Sequence, residues 1–245
     1  MPAYATLRER GAFSGPLYKS GDWTRAVQLV RKGLPIGAQM LTEFGAFAAM
    51  SLIAGRCGTT AAAGHAILQC LADLSYVLPL GIGALGSVQV GQGVGGGDRQ
   101  EATRAARTSL MRGVYGVTVN AVIFIFFGKH MCWWFTSDPA VHTVAVAILP
   151  VVAVYQAADG LRVVGAGCLR GVGRLSSALA SDIVGFWVLG IPVGCWLALG
   201  PPGMSTMGIW LGFAFGVVMV MTPILVKAWN VGDVALRLDE GDGGK

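Results

Sequence analysis

The chain has 245 residues, of which 54% are hydrophobic and only 13% charged, and its mean hydropathy is +0.62. A soluble domain carries about a quarter charged residues, so this surface excludes water as the main solvent. The 37 glycines show no G-X-Y period and no polar low-complexity tract, which excludes collagen and disorder, and the net charge of +5 does not indicate nucleic acid, because no Lys/Arg cluster is interleaved with aromatics.

In chain order, residues 1–32 form a polar lead-in that lacks the charged, apolar and cleavage regions of a signal peptide. Six apolar runs follow, at 33–54, 62–91, 110–128, 143–168, 176–199 and 207–229. Each is near or above the ~20 residues that a membrane helix needs. Residues 230–245 close the chain as a polar tail. The expected fold is an all-α polytopic membrane protein, with six transmembrane helices over 33–229. Prolines 35, 79, 150, 192 and 223 lie in or near the ends of these spans and mark local bends.

Lys and Arg distribute unevenly between the gaps. The lead-in, the second loop, the fourth loop and the tail hold 15 of them, and the opposite loops hold only Arg56 and Lys129. By the positive-inside rule both termini are cytoplasmic. Between the second and third spans, Gly91, Gly93 and Gly96 spell GxGxxG. A dinucleotide fingerprint must follow a strand; here it follows a membrane helix, so the expectation is a tight turn with close packing, then a helix capped by Asp98. The five cysteines include no CxxC pair and suit small apolar packing positions, although Cys57 and Cys132 face the same side. His65 opens the second span as a packing or capping residue, and the tryptophans, Trp210 among them, are expected mostly at the membrane interfaces.

Ionisable groups within hydrocarbon cost about 2.5–3.5 kcal/mol each on insertion scales and are functional candidates by default. They are Glu43, Asp73, Asp159, Arg162 and, near a helix end where water reaches it, Asp182. Glu43 and Asp73 each sit about 11 residues from the outer ends of their spans, roughly 16 Å at helical rise. Tyr155 and Gln156 fall four and three residues before Asp159, giving one polar stripe on the fourth span, and Gln39 stands four before Glu43. A carboxylate desolvated in this way can hold either a proton or a cation. Arg162 lies three residues after Asp159, so a plain structural ion pair is the competing reading for that aspartate.

Three segments carry a family resemblance: "LVRKGLPIGAQMLTEFGAFAAMSLIAGRCGTTAAAGHAI", "LPLGIGALGSVQVGQGVGGGD" and "VYQAADGLRVVGAGCLRGVGR". They resemble the multidrug and toxic compound extrusion (MATE) family, NorM-type branch, over its seventh to twelfth helices. The resemblance implies export of cationic or amphipathic organic compounds in exchange for H⁺ or Na⁺, by alternating access between two six-helix lobes in a plasma membrane (the inner one in a Gram-negative bacterium). It implies no cofactor beyond the coupling ion. It also implies a cation site at Glu43, Asp159 and Tyr155, with Gln39, Asp73, Gln156 and Arg162 as further polar residues of the cavity.

Two positions depart from the family pattern. Arg162 stands where a neutral polar residue is expected, and Asp73 replaces a small or neutral one; both weigh against Na⁺ and leave H⁺ open. Length departs too, since the family has two lobes and one is present here. Either the chain is a fragment or it pairs with a separate N-terminal lobe in cis or in trans. Competing classes are a lipid-linked sugar flippase, whose cavity would be richer in basic residues, and a non-transporting subunit. An intramembrane enzyme would need an HExxH-like or paired-histidine constellation, which the sequence lacks.

Overall fold

The computed structural model describes residues 23–232, and these form helices joined by short turns, with no strand among them. The expected lead-in up to position 22 and the tail from position 233 lie outside the described residues. Backbone packing separates residues 1–37 from residues 38–245. The described part of the first unit is the opening of helix α1 (Trp23–Arg56).

In the second unit α1 continues to Arg56 and is followed by α2 (Thr59–Gly95), α3 (Arg99–Trp133) and α4 (Pro139–Gly171). The fifth span is composite, with α5 (Leu175–Asp182), a π-helical segment (Ile183–Gly190) and α6 (Ile191–Leu199); α7 (Ser205–Trp229) is the sixth. Hydrocarbon offers no water to backbone N–H and C=O groups, so only segments that pair them internally can cross it, and a run of apolar residues becomes a helix. Six stretches are long and apolar enough to span a bilayer. The expected runs fall inside these helices, but α2, α3 and α4 extend to 37, 35 and 33 residues. The excess is most polar at the start of α3, which carries Arg99, Glu101, Arg104 and Arg107 ahead of the apolar run.

The helix starts follow local chemistry. Asp98 accepts a hydrogen bond from the Glu101 amide at 2.9 Å, and Asp138 accepts one from the Ala140 amide at 2.8 Å with Pro139 next to it at the first helical position. The GxGxxG residues end α2 rather than open a nucleotide loop. A Cβ on Gly93 would lie 2.6 Å from the Ala102 nitrogen, so glycine is what lets α2 and α3 meet there. The wide turn of the π segment immediately precedes Pro192, whose ring would crowd a carbonyl of an ordinary helical turn and whose nitrogen donates nothing.

Helix α4 is central, with α2, α3 and α7 packed against it. Gly167 makes a close crossing possible, because a Cβ there would fall on the backbone of Gly83 in α2. Two apolar clusters fill the interior. One gathers Met50, Leu68, Leu71, Val152, Tyr155, Phe186 and Phe213, and the other Val90, Leu110, Val164, Leu169 and Ile224. Asp159 and Arg162 occur on α4 between the residues it gives to each. Large apolar side chains such as Leu41, Leu52, Ile125 and Phe126 point outward, as a lipid-facing surface requires.

Trp210 departs from the interfacial expectation. It is wholly buried, with its ring 5.7 Å from His65 and 5.5 Å from Tyr155. Trp133, Trp134, Trp196 and Trp229 are partly or largely exposed. His65 is a packing residue, its Nε2 3.3 Å from the Ser51 hydroxyl. All five cysteines are free thiols, with Cys132 and Cys168 buried.

Candidate functional site

Arg162 organises the polar interior. Its side chain is 1% exposed, and its N–H groups reach carboxylates from three different helical segments. Within α4, Nε donates to Asp159 Oδ1 at 2.8 Å, and the adjacent terminal nitrogen stands 2.8 Å from the same oxygen. That nitrogen is also 3.4 Å from Glu43 Oε1 on α1. The other terminal nitrogen pairs with Asp182 at the end of α5. The Phe186 ring covers the guanidinium at 5.1 Å, closing it off from the apolar side.

Asp182 therefore differs from its expected place near water. It is fully buried, because α5 continues past it into the π segment and α4 lies against it. Its Oδ1 meets Arg162 and its Oδ2 has no partner among the described residues. Gln39, also buried, stands beside Asp182 from α1. Tyr76 on α2 donates its hydroxyl to Glu43 Oε1 at 3.0 Å. With all groups ionised, three carboxylates face one guanidinium. A desolvated set of that kind must recover charge balance by binding protons or another cation.

The remaining expected residues divide. Tyr155 is buried one turn from Asp159, packed edge-on to Phe47 and Trp210, and its hydroxyl lacks a hydrogen-bond partner among the described residues. Gln156 is buried but does not join the carboxylates. It donates to the Ala72 carbonyl at 2.7 Å and bonds the Ser75 hydroxyl, tying α4 to α2. Asp73 is exposed on α2 and is not among the carboxylates that meet Arg162. The α2 face that turns inward carries Ala72 and Tyr76 instead.

A family model described as MatE matches residues 35–196, which take in Glu43, Asp159, Arg162 and Asp182. The chain belongs to the MatE family. Among relatives of this MatE chain is the Multidrug resistance protein MdtK of Edwardsiella ictaluri (strain 93-146), 31% identical over 202 residues. The protein of the same description from Yersinia pseudotuberculosis serotype O:1b (strain IP 31758) is 32% identical over 202 residues. Both alignments cover 81% of this chain and 44% of the relative, so the chain spans about half the length of the curated relatives it matches. In fold it is similar to the eukaryotic MATE transporter AtDTX14, with TM-score 0.79 at 21% identity, covering 95% of this chain and 55% of the other. It is also similar to the outward-facing form of a multidrug resistance MATE family transporter of the MOP superfamily, with TM-score 0.81 at 14% identity, covering 91% and 50%.

Sequence reasoning from insertion cost found Glu43, Asp159 and Arg162, and misplaced Asp182 and passed over Tyr76. A donor count signals the missing partners. A guanidinium has five N–H groups and Asp159 alone cannot accept them all, so a buried Arg162 demands acceptors from other helices. No comparable signal singles out Tyr76, since a lone tyrosine in a span is ordinarily packing.

Proposed function

We propose that this chain acts as one six-helix lobe of a membrane exporter that moves cationic or amphipathic organic compounds outward while a cation, H⁺ or Na⁺, moves inward. Glu43 and Asp159 form the coupling pair, with Tyr155 beside Asp159 and both termini on the cytoplasmic side. The second lobe is supplied in cis or in trans, and the two lobes alternate access to a shared path as parallel-repeat transporters do.

The observation that supports this most directly is the meeting of Glu43 and Asp159, from separate helices, on one buried guanidinium. Carboxylates held in an apolar interior switch between charged and neutral states when a cation enters or leaves. Their helices carry that change to the packing around them, and a ligand shifts a conformational equilibrium only through such differential contacts. The relatives that are multidrug resistance proteins support the substrate class.

The test replaces Glu43→Gln and Asp159→Asn in the full-length protein expressed in drug-sensitive cells. Each variant is expected to reach the membrane in normal amount and to lose resistance to the level of cells without the protein. Gradient-driven export at the wild-type rate by either variant refutes the assignment.

A further inference from the structure

The arrangement around Arg162 is the reverse of a cation cage. A hard cation the size of Na⁺ or Ca²⁺ takes about six oxygens at roughly 2.3–2.6 Å from one point. Here the oxygens of Asp159, Asp182 and Glu43 are turned to separate N–H groups of a planar fork. The point at which they would converge is occupied by the guanidinium. Among the described residues, no group of three or more His, Cys, Asp or Glu is disposed to hold a metal ion.

The groups at this centre come from several elements: Glu43 and Gln39 from α1, Tyr76 from α2, Tyr155 and Asp159 from α4, Asp182 from α5, and the Phe186 ring from the π segment. Arg162 is the only cation among them. It keeps its charge at physiological pH and is hydrated more weakly than an ammonium, so it stays in place where a mobile ion would exchange. It is tethered to α4 by its own backbone, so unlike a dissolved ion it cannot diffuse away.

We propose that Arg162 is a built-in cation that fills the three-carboxylate site and shuts Na⁺ out, leaving the proton as the ion that this lobe exchanges. The inference rests on the reading of Glu43 and Asp159 as the coupling pair, and it narrows the coupling ion of that reading. A proton needs no oxygen cage and adds to a single oxygen. The unpartnered Oδ2 of Asp182 is one buried oxygen that Arg162 does not cover.

The test is Na⁺ binding to the intact purified protein, followed by ²³Na NMR and by titration calorimetry at fixed pH, so that no transport is required. Wild type is expected to show no saturable Na⁺ binding, and Arg162→Lys, which keeps the charge, none either. Arg162→Gln vacates the centre, leaves an amide oxygen there, and is expected to bind Na⁺ at least about tenfold more tightly than wild type, because a like charge within a few ångströms has gone. If Arg162→Gln fails to fold, Arg162→Gln/Asp182→Asn carries one fewer uncompensated carboxylate and is expected to gain Na⁺ binding in the same way. Saturable Na⁺ binding by wild type as tight as that of the Gln variants overturns the proposal, as does a folded Gln variant that gains none. Export that survives in Glu43→Gln or Asp159→Asn would overturn the wider reading alone, since the Na⁺ measurement is scored without export.

Discussion

Replacing Arg162 with methionine keeps an unbranched apolar stem, shorter than that of arginine, and removes the charge and all five N–H donors. In the structure this strips the cationic partner from Asp159 and Asp182, both buried, and from Glu43, which is largely buried. Breaking a buried ion pair by deleting one partner costs about 3–5 kcal/mol, because the surviving charge is left without compensation. Proton uptake by the carboxylates recovers part of that, so a loss of about 3 kcal/mol is expected near neutral pH. For 150–250 residues each kcal/mol shifts the melting temperature by roughly 2–4 °C, which makes the expected drop roughly 6–12 °C. The readout is the thermal transition of the full-length protein in detergent, followed by loss of the monodisperse peak on size exclusion. Adding Asp182→Asn to Arg162→Met removes one stranded carboxylate and is expected to raise the melting temperature again, although Asp182→Asn alone lowers it. That sign reversal is specific to the contact. A Met variant that melts with wild type, or a double variant that melts lower than Arg162→Met, would refute the picture of a mutually compensating buried cluster.

Three further outcomes can be measured on the same protein. Tyr76→Phe deletes the 3.0 Å hydrogen bond to Glu43 and is expected to cost about 1.5–3 kcal/mol of stability by thermal melt, with reduced export, while Tyr115→Phe on the exposed face of α3 changes neither. Gly167→Ala places a methyl on the backbone of Gly83 and is expected to cost about 1–3 kcal/mol, seen as a lower yield of folded protein, whereas Gly81→Ala, with nothing within 4 Å of the added carbon, is expected to be neutral or stabilising. Asp98→Ala removes the cap at the start of α3 and is expected to cost about 0.5–2 kcal/mol, read as faster amide exchange confined to the first turn after Asp98.

Hydropathy summed along the chain was enough for the six spans, since the need to pair backbone groups in hydrocarbon acts on each segment separately. The caps at Asp98 and Asp138 were equally local, because an N-cap bonds an amide two or three residues ahead. The cost of charge in oil singled out Glu43, Asp159 and Arg162 before any contact was known. Packing between helices decided the rest. Position along a span estimates depth but says nothing of which way a side chain points around the helix axis, so Asp73 was expected deep in its span and Asp182 near water. The structure turns Asp73 outward and buries Asp182 on Arg162. Gln156 shared a stripe with Asp159, yet the close approach of α2 offered it the Ala72 carbonyl. Trp210 carries a residue type suited to either the interface or the core, and α7 lies against α4 closely enough to place it in the core. Local sequence thus determined which segments are helices and which charges are expensive. The rotation of each helix, set by neighbours distant in sequence, determined which charges meet.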